Sequence, residues 1–177
     1  MPLQLHRPLC FYVEVCSSYT LVLISINING LNSPIKGHRL TDWILKQDPT
    51  LCCIQETHLS DKDWHYLRLK GWKTIFQANG PKNQARVAIL ILNKINFQPK
   101  VIKKDKEGHF ILMKGKIYQE ELSILNLWSK CKGMDIHKIN FLKAQSTHHI
   151  LHNNSGRHQH STVPMDITYL LLLANYD

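Results

Sequence analysis

LISININGLNSPIKGHRLTDWILKQDPTLCCIQETHL, residues 23–59, decides the fold. From Tyr19 the chain reads YTLVLISINING, an apolar, β-branched run that ends in Asn27, Asn29 and Gly30. That is the pattern of a buried strand opening into a loop. Ser33 is placed to cap a helix with Pro34 at its first position. Leu40, Trp43 and Ile44 share one helical face, and Asp48 and Pro49 stop the helix. LCCIQETH then repeats the first pattern, apolar on entry and polar at its exit.

Outward from this unit, KTIFQANG and RVAILILN read as two further strands parted by the polar linker GPKNQ. VIKKDKEGHFILMKGKI reads as a hairpin around DKEG, and SILNLW as another strand. A strand, a helix and then mostly strands describe an α/β or α+β domain built on sheets. Beyond Trp128, DIHKINFLKAQ has a partly helical spacing, the His-rich stretch after it has no period, and ITYLLLLANYD is apolar and abrupt. There is no internal repeat and no heptad pattern.

The 177 residues, 44% hydrophobic and 20% charged, are those of one globular domain. Twenty-two Lys and Arg against thirteen Asp and Glu give a formal charge of +9, so a polyanion is the natural partner, nucleic acid before an acidic membrane surface. The alternative is that the lysines serve solubility alone. Five cysteines, an odd number with no CxxC, argue against a zinc ribbon or a disulfide framework. They point to a reducing, intracellular compartment, nuclear or cytoplasmic. The start, MPLQLHRPLCFYVEVC, is interrupted by Glu14 and too weak for a signal peptide, and no apolar run is long enough to suggest a membrane span. Nothing marks a small-molecule substrate, and the sequence sets no oligomeric state.

Chemistry concentrates at two strand exits: Asn27 and Asn29 in SINING, and Gln55, Glu56, Thr57 and His58 in IQETH. Ligands of open α/β sheets gather at the carboxyl ends of strands, so both exits are expected at one cleft. A Glu there can hold Mg²⁺ as a hard oxygen ligand, and an Asn amide can orient a phosphate or a carboxylate. The alternative for Glu56 is a solvated loop residue.

The segments LISININGLNSPIKGHRLTDWILKQDPTLCCIQETHL, LKGWKTIFQANG, VAILI, KKDKEGHFILMKGKI and QEELSILN closely resemble the N-terminal part of the endonuclease domain of LINE-type retrotransposon proteins. That domain belongs to the exonuclease III and apurinic endonuclease superfamily. The resemblance runs in unbroken order over roughly residues 20–127. It implies an α/β fold, here an incomplete four-layered α/β sandwich of the endonuclease/exonuclease/phosphatase type. It also implies Mg²⁺-dependent nicking of one DNA strand. Asn27 matches the first Asn of the family's N-x-N-G motif, and Glu56 its metal-binding Glu.

Other positions depart from the pattern. Where the family has Asn-Ile-Tyr-Ala-Pro-Asn, this chain has Asn126, Leu127, Trp128, Ser129, Lys130 and Cys131, so Trp128 stands at the Tyr position with a ring nitrogen that only donates. Arg86 in ARVAI replaces a Gly near a strand start and must find room for a long charged side chain. The family's Gly-Asp-x-Asn motif is not spelled anywhere in residues 129–177. These readings divide the chain into an unrelated extension (1–18), the N-terminal part of an endonuclease-like domain (19–128) and a degenerate, truncated tail (129–177). Lys103, Lys104, Lys106 and Lys114 around the hairpin are candidates for contact with DNA, or simply a solvated face.

The tail contains HHILHNNSGRHQHSTVPMD, residues 148–166, with His148, His149, His152, His158 and His160. His148 and His152 lie four apart, as zinc ligands on a helix can, but no Cys or carboxylate stands at a matching spacing. A second explanation lies in the genetic code. HNNSGRHQHSTV can be encoded so that a shift of one nucleotide gives Thr-Thr-Ile-Val-Gly-Asp-Ile-Asn-Thr-Pro-Leu, the missing motif. On that reading residues 152–163 are an out-of-frame core strand, and the sheet is expected to be left incomplete with an exposed apolar face and edge.

Overall fold

A computed structural model describes residues 9–16, 19–31, 33–60, 72–80, 84–93, 95–118, 120–130 and 166–175. Sheet I has the order β1-β2-β3-β5-β4, with β1 (Leu9–Cys16), β2 (Tyr19–Asn27), β3 (Leu51–Ser60), β4 (Trp72–Asn79) and β5 (Gln84–Leu92). Within it β2 and β3 run parallel and the other pairs antiparallel. Sheet II is antiparallel, β6-β7-β8-β9, from β6 (Gln98–Lys104), β7 (Phe110–Ile117), β8 (Glu120–Lys130) and β9 (Asp166–Asn175). The crossover between the parallel strands is helix α1 (Pro34–Gln47).

Burial on both faces explains why the central strands read as unbroken apolar runs. Leu21 and Leu23 of β2, Leu51 and Cys53 of β3, and Val87, Ile89 and Ile91 of β5 pack against Ile111, Met113, Leu122, Ile124 and Trp128 of sheet II. The alternate residues Ile24, Ile26, Cys52, Ile54, Ala88 and Leu90 pack instead with Leu40 and Ile44 of α1. The helix forms where its signals stand. Ser33 accepts a hydrogen bond from the Lys36 N–H at 3.4 Å, Pro34 opens the first turn, and Asp48 closes the helix in the left-handed region with φ 44°. Gly37, Leu40 and Ile44 form its buried stripe.

Two elements were not foreseen. Residues 9–16, set apart in the sequence as an extension, form β1 along the edge of β2. Cys10 and Tyr12 are exposed there, one strand period apart. The second is β9, which pairs with β8 of sheet II from Glu121↔Asn175 to Lys130↔Asp166. ITYLLLL, apolar and without helix-capping residues, supplies a strand at that edge. DIHKINFLKAQ and the His-rich stretch up to residue 165 lie outside the described residues.

The sheets are locked together in two ways. Gly108, in the DKEG turn with φ +77°, abuts the backbone of β4's end so closely that a Cβ would lie 2.7 Å from the Gly80 nitrogen. A Cβ on Gly80 would in turn lie 2.6 Å from the Glu107 carbonyl oxygen. Both positions therefore exclude side chains. In the core, Asn126 of β8 donates through Nδ2 to the carbonyls of Ile54 (3.2 Å) and Ala88 (2.8 Å). Its Oδ1 accepts from Gln55 Nε2 at 2.6 Å, which also donates to Ser25 Oγ at 3.0 Å. Both of Asn126's donors are fixed by carbonyls, so the amide orientations of Asn126 and Gln55 follow from the network. The buried Gln55 Oε1 is left without a protein partner.

Candidate functional site

At the exit of β3 the ladder with β5 is interrupted. Gln55 pairs with Val87 and Leu59 with Ala85, so Glu56, Thr57 and His58 stand opposite Arg86 alone. Glu56 and His58 take φ of 53° and 52°, left-handed backbone that non-glycine residues seldom adopt. The neighbouring NING loop holds this bulge. Ile28, Gly30 and Leu31 donate to the carbonyls of Gln55 (3.2 Å), Glu56 (2.6 Å) and Thr57 (2.9 Å). The loop turns because Asn27 Oδ1 accepts the Asn29 N–H at 3.0 Å and Asn29 and Gly30 have positive φ. The two strand exits thus do meet. Asn27 is buried and shapes the loop, and the half-buried Glu56 carries the charge.

Trp128 approaches Glu56 from sheet II. Its Nε1–H donates to Glu56 Oε1 at 2.7 Å. Arg86 finds its room above this ring, its guanidinium 5.1 Å from the ring centroid. The His109 ring stacks on Trp128 with centroids 6.1 Å apart and planes at 30°. His109 Nδ1 lies 3.0 Å from Asp105 Oδ2 and 3.3 Å from Glu107 Oε2. Its Nε2 lies 3.5 Å from Arg86 Nη1. A guanidinium only donates, so Nε2 is the acceptor and Nδ1 carries the proton shared toward the two carboxylates.

Asp105, Glu107 and His109 are the group among the described residues whose ligand atoms converge as a metal site would need, all within 4.8 Å. The Nδ1 proton already joins them, and a cation at Nδ1 would move the ring proton to Nε2, against Arg86. The group therefore reads as a hydrogen-bonded turn that anchors His109. Sequence reasoning missed its members, although D-x-E-x-H across a predicted turn was the available signal.

The lysines do not form one patch. Register places Lys103 opposite Leu112 and Lys114 opposite Val101, on the outer face of the hairpin, whereas Lys104 pairs with Ile111 on the other face and Lys106 sits in the turn. Lys100, on the same strand, is tied to Glu121 at 2.5 Å and holds that carboxyl below its ordinary range. No helix among the described residues is long and apolar enough to cross a membrane.

Two sheets packed face to face, a helix on one outer face and a carboxylate at the end of a central strand make an α/β sandwich with its candidate site at a strand exit. Residues 24–172, most of the chain, match the model of the endonuclease/exonuclease/phosphatase family, and the protein belongs to that family. Among solved structures, humanized D. rerio TDP2 with 14 mutations is similar at 16% identity and a TM-score of 0.43, over 56% of this chain and 43% of that one.

The family generally uses a divalent metal. Mg²⁺ needs only one or two protein carboxylates and keeps water or substrate oxygens in its other positions. Glu56 fits as such a single ligand, with the qualification that Trp128 engages one of its two oxygens.

Proposed function

We propose that the chain is a degenerate relative of LINE-type retrotransposon endonucleases, built for Mg²⁺-dependent nicking of DNA but without appreciable activity of its own. Glu56 would hold the metal, and Asn27 would keep the adjoining loop in shape. The bound ion would supply electrostatic stabilisation of a phosphodiester's developing charge. The observation that carries the reading is the contact between Trp128 Nε1 and Glu56 Oε1. At the place where the family has a phenol, this chain puts a donor-only indole, and that donor is spent on the metal-binding carboxylate.

The sequence adds support, since residues 129–177 spell no Gly-Asp-x-Asn. Loss of a positioned acid, base or nucleophile-orienting group typically costs about 10² to 10⁴ in rate. Incubation of the purified protein with supercoiled plasmid and Mg²⁺ tests the reading. Conversion to the nicked form should not exceed that of Glu56→Ala. Nicking that vanishes in that variant would refute inactivity and leave the chain a working endonuclease.

A second reading, binding of DNA without cleavage, is favoured by the +9 charge and by Lys103 and Lys114 sharing one face of the hairpin. Filter binding across salt tests it. Affinity should fall steeply with salt concentration, and a flat dependence would exclude phosphate contacts.

A further inference from the structure

We infer that Trp128 is an internal competitor for the cation at Glu56, so that this chain weakens its own metal position. The inference rests on the reading of Glu56 as the metal ligand. An indole N–H and a divalent cation both draw on the negative charge of the carboxylate, so a donor held on Oε1 weakens that oxygen as a ligand. The 2.7 Å contact is a charge-assisted hydrogen bond, the stronger kind.

The backbone at Glu56 and the ring of Trp128 are both held in place. Glu56 leaves the strand from a left-handed backbone that three loop N–H groups fix, which sets the direction of its Cα–Cβ bond. Trp128 is 7% exposed, and its backbone N–H donates to the His109 carbonyl at 2.7 Å. Its ring lies under the Arg86 guanidinium and against the His109 ring, which Asp105 and Glu107 anchor in turn. Arg86 thus has a defined role: its charge sits opposite the bulge and steadies the indole that occupies the carboxylate. A cation at Glu56 shares the carboxylate's charge with the Trp128 N–H or displaces it, and a hydrogen bond to a charged group corresponds to about 10- to 100-fold in an equilibrium constant.

Mn²⁺ titration by calorimetry tests this in a Glu107→Gln background, which removes the exposed carboxylate of the neighbouring turn from the measurement. Trp128→Phe should bind Mn²⁺ at least about tenfold more tightly than the parent, and adding Glu56→Gln should abolish the gain. Arg86→Met keeps bulk over the ring while removing the charge. It should give a smaller gain in the same direction and provides the measurement if Trp128→Phe does not fold. A direct readout is ¹⁹F NMR of fluorotryptophan-labelled protein, where Mg²⁺ should shift the Trp128 resonance and not those of Trp43 or Trp72. Equal affinities of parent and Trp128→Phe, both lost in Glu56→Gln, would overturn the competition and leave the metal reading standing. Mn²⁺ binding indifferent to Glu56→Gln in every background would overturn the metal reading and the competition with it.

Discussion

Replacing Asn126 by Leu removes a buried side chain that hydrogen-bonds across the sheet interface to both β3 and β5. Three bonds disappear: two to the carbonyls of Ile54 and Ala88, and one from Gln55 Nε2. The two carbonyls keep a lone pair each for other partners, so about 1 kcal/mol per bond is reasonable there. Gln55 fares worse, because it is fully buried and its Oε1 already lacks a partner. Leaving a buried polar group less satisfied costs about 1–3 kcal/mol, and the leucine's own burial returns about 1–2 kcal/mol. The net expectation is a loss of about 1–4 kcal/mol, or a fall in Tm of roughly 2–16 °C for a chain of this size. Gln55→Leu should be milder, since it also removes the orphaned oxygen. The double variant swaps both partners for apolar groups and should cost at least about 1 kcal/mol less than the sum of the singles. Urea denaturation followed by circular dichroism measures all three. Additivity within about 0.5 kcal/mol, or a Gln55→Leu more damaging than Asn126→Leu, would show that the network does not couple the sheets.

Two other outcomes follow from burial and backbone. Cys52 and Cys53 are fully buried and burial pushes both thiols up, with Cys53 and Cys10 adding to the effect at Cys52, whereas Cys10 is exposed. Alkylation read by mass spectrometry should therefore modify Cys10 at least ~10³-fold faster than Cys52 or Cys53. Because the folded state keeps those two thiols protonated beyond the unfolded value, stability should be constant below about pH 9 and decline as pH rises above it. The slope is roughly 1.4 kcal/mol per pH unit for each thiol, and a stability curve flat to pH 11 would contradict the burial. Gly108→Ala forces a Cβ against the Gly80 nitrogen at φ +77° and should destabilise by more than about 2 kcal/mol. Thermal melts check this, and an unchanged Tm would mean that the DKEG turn does not dock on β4.

The sheets were legible because β2, β3 and β5 are covered on both sides, which writes them as LVLISI, LCCI and VAILI, with the small Ser25 as the one polar residue in these runs. β1 escaped because an edge strand needs apolar residues on one side only, and Glu14 then looked like a break. β9 escaped because ITYLLLL has no period that separates strand from helix, and its identity rests on the edge of β8. At the site, Asn27 and Glu56 could be read from their places at strand ends. The Trp128–Glu56 bond spans 72 residues, and the Arg86–His109 approach 23, separations on which local pattern is silent. Only pairing β3 with β5 in one sheet and packing β8 across it brings those side chains together.

The left-handed backbone at Glu56 and His58 carries an argument of its own. Strain of this kind costs about 1–3 kcal/mol per residue and persists where surrounding structure over-determines it. Here the determinants are local and complete: the Asn27-built loop donates three hydrogen bonds to the bulge, and β5 skips three residues against Arg86. Gln55 and Leu59 resume regular pairing on either side of the bulge. Its effect is to present one carboxylate at the rim of the sandwich. The chain therefore retains the backbone device that aims Glu56, including its energetic cost, while Trp128 occupies the oxygen so aimed. On the proposal that Glu56 holds a cation, two questions separate at this site: the strained backbone positions the carboxylate, and Trp128, at its oxygen, and Arg86, over the indole ring, would set how tightly a cation binds there.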